Sequence, residues 1–219
     1  MSYIGRTPTP AALTASDIAD GIVSNAKLAQ DIISADTALA VAPAATDEFL
    51  VSDAGTLKRI DASLVGRGKI GQVVSTTKTD TTSVTQDASY ADVSGMSVSI
   101  TPSATSSKIL VLVTCYPTTE ADYNLLITLV RGSTDICIGD AASSRSRVST
   151  GNRPTTAYDI AARTINYLDS PSTTSSTTYK LQWRQVDDAT AYLNRTHNDG
   201  DDEHRPRLAS TITVMEVLA

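Results

Sequence analysis

The chain has 219 residues, room for one large domain or a medium domain with an arm; a domain of about 150 residues buries enough surface to need no metal or disulfide staple. Charged residues make up 19% and the formal net charge is −6. Phosphate contacts drive nucleic-acid affinity and leave a basic patch, so the lack of a dense Lys/Arg cluster excludes a nucleic-acid partner; Arg145 and Arg147 read as solvated loop charge.

The opening, MSYIGRTPTP, has no basic region followed by an apolar stretch, so no secretory leader is expected and synthesis in a cytoplasm is. Its prolines favour an extended course. Further on, Leu28, Ile32, Ala35 and Leu39 recur at spacings of four, three and four, a narrow heptad seam, with Ser24 and Ser34 placed as helix caps. A helix this short is marginal alone, so its stripe calls for a partner. After Pro43 the pattern changes. EFLVSDAGTLKRID reads as two short strands about a turn at Asp53-Ala54-Gly55, then ASLV, then a hinge at Gly66-Arg67-Gly68-Lys69.

From Gln72 onward strands follow one another: QVVSTTK, YADVSGMSVSITP, SKILVLVTCYP, NLLITLVRG, DICIGD, YDIAARTINYLD, TTYKLQWRQVD, ATAYLNRT and LASTITVMEVLA. Alternation is clear where Leu181 and Trp183 interleave with Lys180, Gln182 and Arg184. Ser/Thr-rich turn clusters separate the runs. The expected fold class is mainly β, with residues 1–70 an extended and short-helical arm and residues 71–219 a jelly-roll-like β-sandwich of eight or nine strands. The longest apolar run, from Ile109 to Val113, is far too short to cross a bilayer, so no membrane insertion is expected.

Cys115 and Cys137 sit in apolar runs and read as buried thiols, with a disulfide between neighbouring strands left open. Neither has zinc-site spacing. The most polar stretch is His197-Asn198-Asp199-Gly200-Asp201-Asp202-Glu203-His204-Arg205. Its acidic spacing does not match an EF-hand loop, and its two histidines lack a recognised metal spacing. It reads as an exposed hairpin tip, with His197, Asp199, Asp201 and Asp202 as candidate partner contacts. The few tyrosines and Trp183 could stack on sugars, yet most fall in strand patterns and read as core or interface. Asn194-Arg195-Thr196 matches a glycosylation acceptor. No Gly-rich phosphate loop or nucleophile motif stands out, so no enzyme, cofactor or metal is expected.

MSYIGRTPTPAALTASDIADGIVSNAKLAQDII resembles the start of tail-fibre and other fibre-like virion proteins of marine bacteriophages. The resemblance rests on Tyr3 to Arg6 and on Ile18, Asp20, Gly21, Val23, Lys27, Leu28 and Ala29. DEFLVSDAGTLKRIDASLV is similar to a linker element of such fibres, and the C-terminal part resembles in style their jelly-roll tips and the trimeric sandwiches of complement and tumour-necrosis-factor type. The resemblance implies a homotrimeric virion structural protein, made in the host cytoplasm. Its arm would dock to other phage tail or capsid proteins, with Tyr3, Ile4, Ile18, Ile22, Leu28 and Ile32 as anchoring and trimer contacts. Its distal domain would face a host glycan or outer-membrane receptor. The short chain also leaves room for a capsid decoration, cement or head-fibre protein.

Overall fold

The computed structural model describes Thr14, Asp17, Val41, Pro43, Ala44 and residues 46–65, 68–85, 89–186 and 188–218. The expected helical arm and the anchoring residues Tyr3, Ile4, Ile18, Ile22, Leu28 and Ile32 lie outside the described residues. The chain divides into two compact units, Met1–Gly66 and Arg67–Ala219.

In the first unit, β1 (Glu48–Asp53) pairs antiparallel with β2 (Thr56–Asp61). Ala54 and Gly55 make the turn at φ 52° and 85°. Two left-handed residues give the turn the same twist as the strands it joins, which fixes the register. Ion pairs from Lys58 to Asp53 and from Arg59 to Glu48 brace the hairpin. A short 3-10 turn, Ala62–Leu64, follows where ASLV stands. Leu50 and Leu57 remain exposed; a two-stranded ribbon has no second layer to cover them.

The second unit contains β3 (Ile70–Lys78), β4 (Thr82–Thr85), β5 (Ala91–Ile100), β6 (Lys108–Cys115), β7 (Pro117–Thr118), β8 (Leu125–Arg131), β9 (Thr134–Ile136), β10 (Thr150–Asn152), β11 (Arg163–Asp169), β12 (Thr177–Gln185), β13 (Thr190–Leu193) and β14 (Ser210–Val217). One sheet runs β3-β14-β6-β11, and a second runs β5-β12-β8-β10 with β9 also on β8. The small strands β4, β13 and β7 make a third. Every pairing is antiparallel. Numbering the eight strands of the two four-strand paths along the chain, the sheets read 1-8-3-6 and 2-7-4-5. That winding is a jelly roll, the sandwich expected from the alternating runs.

The core follows from period-two burial. In β6, Ile109, Val111 and Val113 turn inward, and in β14 Ile212 and Val214 do. They share one apolar cluster with Met96 and Val98 of β5, Leu125, Ile127 and Leu129 of β8, and Tyr179, Leu181 and Trp183 of β12. The closing strand β14 lies between β3 and β6, so its residues are held on both sides. Gly95, at φ 79°, sits where the β5–β12 register shifts; a side chain there would be strained and would crowd Lys78.

Two runs are shorter as strands than the sequence suggests. DICIGD contributes only Ile136 and its predecessors, because Cys137 turns left-handed at φ 54°. YDIAARTINYLD becomes strand only at Arg163, because Asp159 closes a turn upstream of it. Its carboxylate accepts from the Thr155 and Thr156 amides at 2.7 and 3.0 Å. Both cysteines are free thiols, and burial pushes the Cys115 thiol up to about 12.

One polar cluster ties the two main sheets. Asp169, buried at the end of β11, accepts from one Arg131 nitrogen at 2.8 and 2.9 Å and from the Tyr179 hydroxyl at 2.6 Å. Burial, then the hydrogen bond to Asp169, pushes the Tyr179 phenol well above its ordinary range.

Candidate functional site

The polar stretch after β13 is a connection between sheets, not the tip of a hairpin. β13 pairs with β4 and β7, while β14 pairs with β3 and β6. Asn194 starts the departure. It is fully buried at φ 63°, a left-handed conformation that Asn tolerates better than most residues. Its amide donates to the carbonyls of Lys78 and Asp80 at 2.8 and 3.0 Å and its carbonyl accepts from Ser210 at 2.5 Å. The sequon asparagine is therefore consumed by the fold and is not presented as a glycan acceptor.

Beyond Asn194 the connection folds on itself. Arg195 lies over the Tyr192 ring at 4.2 Å, and His197 meets the same ring edge-on at 5.7 Å. The Arg195 guanidinium also donates to the His197 carbonyl at 2.7 Å. Asp199 accepts from both terminal nitrogens of Arg207, one at 2.9 Å, and pairs with Arg195 at 3.2 Å. The Arg207 hydrogen bonds, with the charges of Arg195, Arg207 and Arg205, hold the Asp199 carboxyl below its usual range. Asp199 thus has its charge met within the chain. Asp201 is exposed, and Asp202 accepts from the His204 amide at 2.9 Å, which lowers its pKa. Among the described residues, no group of three or more His, Cys, Asp or Glu could hold a metal ion.

A second loop meets this one. The Asn198 amide donates to the Ala157 carbonyl at 3.4 Å, and Arg205 lies 5.6 Å from the centroid of the Tyr158 ring. Tyr158, half exposed, joins Asp202 and His204 in lining an open depression of about 450 Å3. An aromatic face beside a carboxylate, an imidazole and a guanidinium suits a ligand with both C–H faces and hydroxyls, such as a sugar.

Of the four residues singled out in the sequence, Asp202 lines this depression. His197 and Asp199 belong to the Tyr192 and arginine cluster, and Asp201 stands apart. Tyr158 and the clamping arginines were missed. Tyr158 sat in what read as a strand, and the sequence signal that it does not is the Thr155-Thr156 pair three and four residues before Asp159.

No protein-family model matches the chain, and no curated protein matches it. Solved structures do. The structures of infectious bursal disease virus Gt and Gx strains each align over 76% of this chain at 17% identity, with TM-scores of 0.35 and 0.36. The VP2 subviral particle of the same virus aligns over 79% at 15% identity and a TM-score of 0.35. The chain spans about two fifths of the length of those chains: 41%, 40% and 43%.

Proposed function

We propose that the chain is a bacteriophage virion structural protein, a short homotrimeric fibre of the tail-fibre kind. Residues 1–70 dock it to tail or capsid proteins, and the jelly roll carries the Tyr158 depression outward to a host-surface glycan or outer-membrane component. Its role is attachment, with no chemical step. The observation that supports this most is the union, in one chain, of a fibre-like opening and a jelly-roll domain whose longest polar loop is clamped by its own arginines. A rigid loop on a rigid sandwich loses little entropy when it binds.

Removing residues 1–65 tests the docking role. The remaining chain is expected to stay folded and to disappear from purified particles. A truncated chain that still copurifies with particles would remove the docking role from the arm. Copies spread over the head, instead of gathered at the tail, would favour a capsid decoration or head-fibre protein.

A further inference from the structure

The two outer faces of the sandwich differ in chemistry. The outer face of the β5-β12-β8-β10 sheet is already finished by the chain itself. Lys180 and Gln182 of β12 both reach Asp92 of β5, at 2.8 and 2.7 Å, and Arg184 lies over Tyr90. On β8 the outward Thr128 and Val130 are buried. On the outer face of β3-β14-β6-β11 the cross-strand polar contact is a hydrogen bond between the Ser75 and Thr213 hydroxyls, at 2.7 Å. Register places Leu168, Leu110, Met215 and Val73 side by side across all four strands, with Val217 and Ile70 in the row beyond. Leu168, Val73 and Ile70 are about half exposed. The remaining paired rows hold Ser, Thr, Asn and one Leu, and the one charge among the paired residues of this face is Lys108, at its end.

We infer that this outer face is where copies of the chain associate, each copy covered by a second one. The inference rests on the homotrimeric reading above and names the surface that reading needs. Two observations select a second copy as the occupant. First, a chain of net charge −6 repels itself wherever its charged surfaces meet. Contact through a face whose one paired charge is Lys108, at its end, avoids most of that repulsion, whereas a foreign partner fitted to this chain by charge would find little here to match. Second, four strands and about seven residues per strand give roughly 450 Å2 in projection. That is more than half of the ~800 Å2 one partner gives to a stable interface, before side-chain relief and the β3 edge are added.

Sedimentation equilibrium of the full chain is the test, with V73K/L168K as the variant and S97K, on the opposite sheet, as the control. The native chain and S97K are expected at about three times the 23.0 kDa chain mass. V73K/L168K, altered only at exposed positions, is expected to fall to the single-chain mass, with association at least tenfold weaker. An oligomeric native chain with an equally oligomeric V73K/L168K overturns this surface and leaves the trimeric reading standing. A monomeric native chain overturns both. Should V73K/L168K lose its native circular dichroism, T213C in a C137S background replaces it. Its thiol is expected to be protected from maleimide in the oligomer and to react on dilution, and free reaction in the oligomer overturns the surface.

Discussion

Asp169 and Glu216 are buried in the sandwich, while Asp199 and Asp202 lie on the connection from β13 to β14. All four are engaged, but by different means. Asp169 holds Arg131 and Tyr179 across the sheets. Glu216 accepts from the Ser103 amide and hydroxyl at 2.6 Å each and from Gln72 at 2.8 Å. Removing either buried acid strands its donors, the Tyr179 hydroxyl among them fully buried. On the loop, Asp199 is met by Arg207 and Arg195 and Asp202 by the His204 amide, at the surface, where water can replace a lost partner and each contact contributes little to stability. The interior acids therefore serve folding, and the loop acids serve the shape of a surface.

The largest effect expected from breaking that contrast is at Asp169. D169A leaves Arg131 and Tyr179 without their shared acceptor and is expected to destabilise the domain by about 3–5 kcal/mol in urea unfolding. N194A comes next, at about 2–3 kcal/mol, because it removes three buried hydrogen bonds and puts Ala at φ 63°. The same variant is expected to loosen residues 195–209, read as faster amide exchange there than in β6.

Glu216 gives a pH-dependent prediction. Burial alone would raise its pKa, but hydrogen bonds from Ser103 and Gln72 outweigh burial and bring it to about 2, from an ordinary 4.5. A folded value below the unfolded one means the carboxylate stabilises the fold above about pH 4.5. That stability is lost as pH falls through about 2. E216Q is expected to cost about 1–2 kcal/mol at pH 7 and to flatten the stability profile between pH 5 and 2, roughly the span set by the linkage. A profile as steep in E216Q as in the native chain would assign the acid sensitivity elsewhere. The smallest stability effects belong to the loop. Y158A and D202N are expected to leave unfolding nearly unchanged, yet to reduce adsorption to host cells at least tenfold if the depression holds the ligand. Unchanged adsorption by both would remove the depression from the attachment surface.

Much of the sandwich is legible in the sequence, because β6, β12 and β14 alternate over seven or more residues and period-two burial leaves a visible mark. β4, β7 and β10 leave none. They span four, two and three residues, rich in Thr, Pro and Gly, and exist because neighbouring strands hold them. The hairpin was readable from Ala54-Gly55, since local turn chemistry alone fixes it. The candidate site was half readable. Asp202 stood out by polarity, but its aromatic neighbour comes from a different loop, and no local pattern pairs Tyr158 with Arg205. Likewise, the apolar row on the outer face is a property of register: Leu168, Leu110, Met215 and Val73 are scattered in sequence and become a row only when four strands align.

We propose a role for this chain as a trimeric attachment protein of a phage particle. Gold-labelled antibody against the second unit, applied to intact particles and imaged by electron microscopy, tests it most directly. The expected result is label confined to discrete tail appendages, with three epitope copies at each. Particles that carry no label, while the chain accumulates unassembled in infected cells, would contradict it.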